Sequence, residues 1–332
     1  MSKRILTGVK PTGAPHIGNY FGTFRPALAR ADEYDEAYWF IANYHALNQI
    51  QDAAELENNT LSIAATWLAC GLNPESAQLY AQSDIPEVFE LETMLNSFTP
   101  KGWMNKAHAY KAANDINEAE GRPSDDGISM GLYTYPILMA ADILVFDANV
   151  VPVGKDQIQH VEIARDIAQK INHHYEDDLF VLPEHRVEDS VGTIVGIDGR
   201  KMSKSYNNII PLFADRDERQ NAINKIVTDS SAPDEEKQVE GTPLFTLFQL
   251  VSTPEEATAL KTDLEQGKLG WGDAKQQLGD AMDKFFGEMT TEYNRLMANP
   301  DEIRSVLQAG ANRVRPSAQE HLQRLRSAMG VI

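Results

Sequence analysis

The chain opens with a short apolar strand that runs into a glycine- and proline-rich loop and continues in an amphipathic helix. The strand and loop are RILTGVKPTG, residues 4–13, and apolar residues at helical spacing follow in IGNYFGTFRPALARADEY. Strand-like and helical segments then alternate up to about residue 210. Because parallel strands are joined by crossover connections, this alternation predicts an α/β fold with a parallel sheet.

Further strands are predicted from short apolar runs, and helices from apolar residues at helical spacing. The predicted strands are YWFIANYHAL, AQLYAQS and NVVPVG. The predicted helices are TLSIAATWLACGL, which ends at Gly71, GLYTYPILMAADILVF, with Pro136 near its first turn, and QIQHVEIARDIAQKINHHY. The polar stretch at 114–129 is predicted as a surface loop, either a linker or a lid.

After about residue 210 the strand signals fade and the sequence becomes helical. The helical segments are RDERQNAINKIV, PEEATALKTDLEQG, GDAKQQLGDAMDKFFGEMTTEYNRLMA, PDEIRSVLQAG and PSAQEHLQRLRSAMG. A chain of 332 residues is long enough for two domains. We therefore predict an α/β domain followed by a smaller all-helical domain.

The composition excludes several classes of protein. Hydrophobic residues make up 42% and charged residues 24%, as in folded globular proteins. The net charge of −19 argues against a nonspecific nucleic-acid coat protein, although a local basic patch can still bind a specific RNA. Cys70 is the only cysteine, which excludes an intrachain disulfide and a cysteine cluster for zinc. No segment approaches the roughly 20 apolar residues of a membrane span, so we expect a cytoplasmic protein.

The first candidate motif is PTGAPHIGN, residues 11–19, which joins the first strand to the first helix. Glycines allow a nucleotide to approach the backbone, and a helix N-terminus presents free N–H groups to phosphate. His16 and Asn19 are three residues apart, so both can donate hydrogen bonds to phosphate oxygens from one face of the helix. Taken alone, the string is more typical of a turn followed by a helix cap.

The second candidate motif is GRKMSKS, residues 199–205, which follows the last strand-like segment. Lys201 and Lys204 lie in a loop flanked by glycine and serine, where their ammonium groups can neutralise a triphosphate and the pyrophosphate that leaves it. The alternative for this segment alone is a solvated basic loop. The two motifs together, one at each end of the α/β part, indicate a site that binds and cleaves a nucleoside triphosphate.

The HIGN and KMSKS elements resemble the paired HIGH and KMSKS signatures of the class I aminoacyl-tRNA synthetases. This resemblance implies a Rossmann-like parallel-sheet catalytic domain at 1–205 that ends in the KMSKS loop, and a helical tRNA anticodon-binding domain at 206–311. The last helix, at about 312–332, is expected to pack back on the catalytic domain. The resemblance also implies ATP with Mg²⁺ as a substrate complex, with the ion held mainly by the ATP phosphates, no protein metal site and no tightly bound cofactor.

The resemblance assigns roles to the residues of both motifs. Polar side chains at the end of the VPVG strand are expected in the same site, because ligands bind at the carboxyl ends of parallel strands. The expected catalytic residues are His16, Asn19, Lys201 and Lys204. The expected ATP-binding residues are Lys10, Pro11, Thr12, Gly18, Asn19, Gly154, Asp156, Gln157, Lys201, Met202, Ser203, Lys204 and Ser205.

A third group of residues concerns the second substrate. Tyr135, Met139 and Asp142 fall on one face of a predicted helix, and Asp142 has only Ala, Ile, Leu and Val around it in sequence. A buried aspartate needs a partner, and a flat apolar ligand with one N–H, such as indole, suits a methionine and a single carboxylate. A capping or salt-bridged aspartate is the alternative.

The segments YPILMAADI and VPVGKDQ resemble a divergent, bacterial form of the tryptophanyl branch of the family. That resemblance implies that Asp142 accepts the indole N–H. The expected tryptophan-binding residues are Tyr135, Met139, Asp142, Gln157, His45, Val151 and Val153. The tyrosyl branch generally carries a glutamine at the place of Met139 and a tyrosine at that of Ala141. Lys10 replaces a common glutamine, and Asn43-Tyr44 replaces an acidic-Gln pair before His45.

The expected reaction is activation of L-tryptophan with ATP, followed by its transfer to the 3′-terminal ribose of tRNA(Trp). Tyrosine specificity and a regulatory paralogue that binds tryptophan or RNA without aminoacylation are the alternatives. The expected partners are L-tryptophan, ATP, tRNA(Trp) and a second copy of the chain. Two basic groups can either meet tRNA phosphates or lie on solvated helix faces. They are Lys101, Lys106 and Lys111, and the arginines at 304, 313, 315, 324 and 326.

Overall fold

The computed structural model describes residues 2–75, 77–187 and 194–331, so the final residue of the predicted 312–332 helix lies outside the described residues. Five parallel strands form one sheet in the order β3-β2-β1-β4-β5, which confirms the predicted α/β fold. The strands are β1 Arg4–Val9, β2 Glu36–Ile41, β3 Gln78–Ala81, β4 Val150–Val153 and β5 Glu184–Val187. The strand order reverses direction between β1 and β4, and ligands bind at such a switch point in open parallel sheets.

Nine helices accompany the described part of the sheet. They are α1 Ile17–Asn19, α2 Arg25–Ala29, α3 Asn43–Ala46, α4 Ala53–Ala69, α5 Glu87–Phe98, α6 Lys101–Met104, α7 His108–Ala119, α8 Met130–Leu144 and α9 Ile158–Tyr175. A π-helical turn at Tyr20–Phe24 joins α1 to α2. Shorter 3₁₀ turns cover Ala31–Glu33, Gln82–Asp84, Lys155–Gln157 and Lys204–Tyr206. The Asp52 side chain caps α4, and left-handed backbone at Gly71 follows its end, as predicted.

The chain after the sheet is helical, as predicted. Its helices are α10 Arg216–Asn224, α11 Pro243–Val251, α12 Pro254–Glu265, α13 Trp271–Met297 and α14 Pro300–Met329. The sequence predicts two helices where the structure has the single α14, which continues through Pro316. Val314 and Ala318, on either side of that proline, are both buried in one apolar cluster. Tertiary packing therefore outweighs the roughly 3 kcal/mol that a proline inside a helix costs.

Three predictions about the α/β part are wrong in detail. The strand predicted as YWFIANYHAL ends at Ile41, because Asn43 exchanges two side-chain hydrogen bonds with Ser83 and starts α3. The predicted loop at 114–129 begins with the last six residues of α7. The helix is exposed and its residues are mostly polar, and a polar stretch of this kind is equally typical of a surface loop. Pro136 is the seventh residue of α8 and not part of its first turn.

Two apolar clusters cover the two faces of the sheet. One contains Trp39 and Phe24 and extends into the C-terminal helices. The other contains Tyr38 and Phe146 and packs under α5, α8 and α9. The first half of α14 belongs to the first cluster and its second half to the second cluster, so this helix connects both. Within the described residues, no helix is long and apolar enough to cross a membrane.

Candidate active site

A cavity of about 770 Å³ lies at the carboxyl ends of β1 and β4, the switch point of the sheet. This volume is typical of small-molecule sites. Both candidate motifs and the end of β4 contribute to its wall. Among the lining residues are His16, Gly18, Asn19, Val153, Gly154, Asp156, Lys201, Met202, Ser203 and Ser205. The fold therefore brings together ten of the residues that the sequence assigns to the site, from segments almost 190 positions apart.

The HIGN motif forms the first turn of the helix after β1. The Asn19 side chain accepts a hydrogen bond from the His16 backbone N–H at 2.9 Å, which fixes the start of α1. Gly18 has to be a glycine, because a Cβ there would lie 2.9 Å from Nδ1 of His16. Burial, and then the nearby Lys204 ammonium, lower the pKa of His16 to about 4, so its ring is neutral at pH 7. Its Nδ1 atom has no hydrogen-bond partner among the described residues.

The KMSKS segment is held in place by Asn208, a buried residue that the sequence analysis did not single out. The Asn208 amide accepts from the Ser203 N–H at 2.7 Å and donates to the Lys201 carbonyl at 2.9 Å and to Asp198 at 2.7 Å. Hydrogen bonds from Asn208, and then from Arg200, lower the pKa of Asp198 to about 2. The sequence does not indicate this role, because the hydrogen-bond partners of Asn208 are known only once the loop is folded.

Lys204 contacts the loop of the first motif, outside the lining of the cavity. Its Nζ atom donates to the Thr12 carbonyl at 3.0 Å, and Gly13, with φ of +102°, leaves room for it. The Met202 sulfur accepts from the Gly18 N–H at 3.3 Å. The two motifs are therefore in direct contact, and a basic group sits beside a helix N-terminus. This arrangement suits a polyphosphate.

The strand end at 154–157 supplies the opposite wall. A Cβ on Gly154 would lie 2.7 Å from the exposed Asp156 carboxylate, which would then have to move. The second oxygen of this carboxylate accepts from the Gln157 amide at 3.0 Å. Gln157 also accepts from His160 Nδ1 at 2.8 Å, and the Tyr135 hydroxyl bonds the other ring nitrogen of His160. The sequence analysis named Tyr135 and Gln157 but missed His160, whose position three residues after Gln157 on an otherwise apolar helix face is a usable signal.

His160 sets the direction of these hydrogen bonds. Burial, and then the charge of His108, lower the pKa of His160 to about 4, so the ring carries one proton at pH 7. Because the Gln157 carbonyl oxygen accepts, that proton is on Nδ1, and Nε2 accepts from the Tyr135 hydroxyl. The lone pairs of the Tyr135 oxygen are then free to accept from a substrate N–H.

Asp142 is buried, with 2% of its surface exposed, and it has protein partners. Nε2 of His45 lies 3.1 Å from Oδ2 of Asp142, and the Gln82 amide donates to both carboxylate oxygens at 2.9 Å. Asp142 therefore has hydrogen-bond partners within the protein, as a buried aspartate requires. Gln82 was not singled out in the sequence, although it directly follows β3, where a polar residue at a strand end is a usable signal.

The apolar residues that were predicted beside Asp142 differ in how deeply they are buried. Val153 lines the cavity at the end of β4, whereas Val151 is buried two residues deeper in the core on the same face of the strand. Met139 is half-buried one helical turn before Asp142. Lys10, Pro11 and Thr12 lie in the loop after β1, outside the lining of the cavity.

The sequence leaves the five arginines of the C-terminal helix open either to tRNA phosphates or to solvated helix faces. All five arginines have internal partners. These are Glu57 and Asp301 for Arg304, the Pro74 and Ala77 carbonyls for Arg313, Glu87 for Arg315, Asp147 and the Leu179 carbonyl for Arg324, and Glu90 for Arg326. In the described part of the chain, no group of three or more His, Cys, Asp or Glu side chains is placed to hold a metal ion.

Comparison with known proteins agrees with this geometry. A family model described as tRNA synthetases class I (W and Y) matches residues 2–287. The tryptophan–tRNA ligase of Bordetella parapertussis is 50% identical over 333 residues, which cover all of this chain and 74% of that protein, and that of Pseudomonas putida is 49% identical over 334 residues with the same coverage.

Solved structures show the same relationship over almost the full length. The crystal structure of tryptophanyl-tRNA synthetase from Campylobacter jejuni, complexed with ADP and tryptophan, matches with a TM-score of 0.92 and 41% identity, covering 98% of this chain and 99% of that one. The enzyme from Mycoplasma pneumoniae matches with a TM-score of 0.77 and 26% identity, covering 99% and 98%.

Proposed function

The chain belongs to the class I tRNA synthetases of the tryptophan and tyrosine group, and we propose that the cavity between β1 and β4 is where it performs its reaction. Its activity is that of a tryptophan–tRNA ligase. The observation that carries the site assignment is the contact between the two motifs: Lys204 donates to Thr12, and in the wall of the cavity Met202 accepts from Gly18.

ATP would lie with its phosphates between the start of α1 and the KMSKS loop. Gly18 contributes no side chain to this wall, and Asn19 lies beside it in the lining of the cavity. Lys201 and Lys204 supply positive charge from the other side. Mg²⁺ would arrive with ATP, bound mainly to the phosphates, and would neutralise charge on the leaving pyrophosphate.

The chemical step needs no protein nucleophile, because the tryptophan carboxylate is ionised at pH 7. A carboxylate oxygen attacks the α-phosphorus, the bond from that phosphorus to the bridging oxygen of pyrophosphate breaks, and pyrophosphate leaves with the electron pair. Lys201 and Lys204 stabilise the charge that develops on it. A hydroxyl of the 3′-terminal ribose of tRNA(Trp) then attacks the carbonyl carbon of the adenylate and releases AMP. The protein contributes positioning and electrostatics.

Tryptophan would lie with its ring toward Asp142 and its amino group toward Tyr135 and Gln157. The neutral His160 ring accepts a hydrogen bond from the Tyr135 hydroxyl, so the lone pairs of the Tyr135 oxygen can accept from the ammonium group. Met139 and Val153 would flank the indole, and Asp142 would accept its N–H. A buried acceptor of this kind penalises ligands that lack the donor, so discrimination follows without an editing site.

The tRNA would approach over the segment that connects α6 to α7. Lys101, Lys106 and Lys111 are exposed there, and Gln159 at the start of α9 bonds the segment through the Lys106 carbonyl and the His108 N–H. This contact places the lysines within a few residues of Gln157. If they bind tRNA phosphates, Lys106→Glu with Lys111→Glu lowers tRNA charging and its salt dependence while pyrophosphate exchange persists. Lys3→Glu, before β1 at the opposite end of the sheet, is the control.

A homodimer fits the surface beside the site. Tyr44, Leu47 and Met130 are exposed apolar side chains, and Tyr44 packs against Phe89 with ring centroids 4.5 Å apart. The end of α3 meets the start of α8, so these side chains form one patch suited to a second copy. Charging of tRNA serves translation, so we place the protein in the cytoplasm.

The deciding experiment is amino-acid-dependent exchange of pyrophosphate into ATP with tryptophan, tyrosine or no amino acid. We expect exchange with tryptophan alone, a loss of at least a hundredfold in Lys204→Ala, and a raised KM for tryptophan in Asp142→Ala. Lys284→Ala, an exposed lysine that pairs with Glu256, should leave exchange unchanged. Exchange with tyrosine would transfer the assignment to the tyrosine branch, and no exchange would favour a regulatory protein.

A further inference from the structure

Gln82 is a fully buried polar side chain to which the reaction as described above gives no role. It directly follows β3, on the same edge of the sheet as the cavity, but it does not line the cavity. A buried amide has to be hydrogen-bonded, and its hydrogen-bond partners indicate its role.

The side-chain hydrogen bonds of Gln82 join Tyr44 of α3 to Asp142 of the proposed tryptophan site. Its Oε1 accepts from the Tyr44 N–H at 3.1 Å, so the amide oxygen faces Tyr44 and the NH₂ group faces Asp142. Nε2 donates to Oδ1 and to Oδ2 of Asp142, both at 2.9 Å. The backbone of α3 thus fixes the orientation of an amide that in turn orients the carboxylate.

The two oxygens of Asp142 are used unequally. Oδ2 accepts from Gln82 and from His45 Nε2, whereas Oδ1 accepts from Gln82 alone among the described residues. A carboxylate oxygen has two lone pairs, so Oδ1 retains one for a ligand N–H.

The charge of Asp142 depends on the same bonds. Burial raises the pKa of Asp142, and the hydrogen bonds from His45 and Gln82 oppose that shift by favouring the ionised form. The nearby Tyr80 and Glu92 supply no positive charge. Removal of the Gln82 donor therefore leaves the carboxylate both less fixed in orientation and easier to protonate.

We propose that Gln82 is a positioning residue that fixes the Asp142 carboxylate and turns its Oδ1 atom toward the indole N–H. It thereby sets how strongly the enzyme discriminates by the ring N–H, separately from the shape of the ring. This inference rests on the proposed function, since it takes tryptophan as the ligand of Asp142.

The test compares tryptophan with an analogue in which sulfur replaces the indole nitrogen, so that the ring keeps its shape and loses its N–H. For Gln82→Met we expect kcat/KM in pyrophosphate exchange to fall about tenfold or more for tryptophan, through KM, with little change for the analogue or in the KM for ATP. The preference for tryptophan over the analogue then falls by the same factor. Gln308→Met, an exposed glutamine of α14, is the matched control.

A second variant guards against a folding defect. Gln82→Glu keeps the side-chain shape and the acceptor for the Tyr44 N–H, and it replaces the donor with a carboxyl group that brings negative charge beside Asp142. We expect the same selective loss. In addition, Gln82→Met should add little in an Asp142→Asn background, because the two residues act through one contact.

The outcomes separate this inference from the proposed function. If the variants lose activity equally with tryptophan and the sulfur analogue, or keep the wild-type preference, Gln82 does not act through the N–H contact and the inference fails. If the wild-type protein shows no tryptophan-dependent exchange, the proposed function itself fails.

Discussion

The protonation state of His160 determines which hydrogen bonds Gln157 and Tyr135 can make. With a pKa of about 4 it is neutral in the folded protein at pH 7, donating to Gln157 and accepting from Tyr135. A second proton would have to go on Nε2, which turns that atom into a donor and removes the acceptor of the Tyr135 hydroxyl. Under the proposed function, the lone pairs that Tyr135 offers to the tryptophan ammonium group therefore depend on a neutral His160.

The free energy of unfolding should depend on this residue between pH 7 and pH 5. Because the folded-state pKa lies below the ordinary value of 6.5, the unfolded chain takes up the proton first, and stability is lost as the pH falls. We expect His160 to account for a loss of about 2 kcal/mol over that range. Urea unfolding at both pH values should show a loss that is smaller by this amount in His160→Gln than in the wild type, because His16, whose pKa is also about 4, contributes to both. His185→Gln, on an exposed part of β5, should behave as the wild type.

Asn208 supports the KMSKS loop through three hydrogen bonds that no neighbouring side chain duplicates in the described structure. We expect Asn208→Ala to raise the KM for ATP about tenfold or more, because the loop loses its fixed position, while the KM for tryptophan changes little. Steady-state exchange kinetics with each substrate varied in turn will measure both constants. Asn312→Ala, on an exposed face of α14, is the control, and equal changes in the two KM values would refute this role.

At the scale of elements, α14 crosses the edge strand β3 at very short range. A Cβ on Gly310 would lie 1.8 Å from the Leu79 carbonyl oxygen, a distance that no side-chain movement can relieve because the atom belongs to the backbone. The close crossing covers the open edge of the sheet and brings Ala311 and Val314 into the core.

We expect Gly310→Ala to lower the free energy of unfolding by about 3 kcal/mol or to prevent folding, since α14 has to move away from β3. Gly287 in α13 is the matched control, because a Cβ there meets no atom within 4 Å. Gly287→Ala should stabilise the protein by up to about 1 kcal/mol through helix propensity. Urea denaturation followed by circular dichroism measures both, and a neutral Gly310→Ala would show that the crossing is looser than described.

At the scale of the whole molecule, arginines of α14 join the C-terminal helix to the α/β part. Glu87, 7% exposed, accepts from Arg315 at 2.9 Å and from Gln319 at 2.8 Å. Burial works against the charge of Glu87, yet these bonds lower its pKa overall, so the contact stabilises the folded state at neutral pH and weakens as the pH falls through the carboxyl range.

Two arginines of the same helix should therefore differ in their effect on the molecule. Arg315→Ala leaves the Glu87 carboxylate without its charged partner and should lower the free energy of unfolding by about 3 kcal/mol. Arg304 pairs with Glu57 and Asp301 in an exposed position, so Arg304→Ala should lower it by less than about 1 kcal/mol. Denaturant unfolding at pH 7 will measure the free energy of unfolding of both variants. Similar losses in the two would show that the difference in burial does not determine the effect.

The sequence by itself determined the class of fold, the two motifs and their order, because strand and helix periodicity and loop glycines are local properties of the chain. It did not reveal β5, whose residues EHRV are half-buried or exposed and so lack an apolar run, nor the continuity of α14 through Pro316. It named Asp142, Tyr135 and the lysines as candidates from their residue types.

Only the tertiary structure decided which partners those candidates have. Gln82 and Asp142 are 60 positions apart, and Lys204 and Thr12 are 192 apart. Local patterns carry no information about such pairs, since the contacts exist only after the parallel strands bring their carboxyl ends to one edge. The same holds for the arginines of α14, which sequence alone leaves open to RNA and which packing pairs with carboxylates and carbonyls. Charges and hydrogen-bond groups can be read from the chain, but burial and distance decide which of them interact.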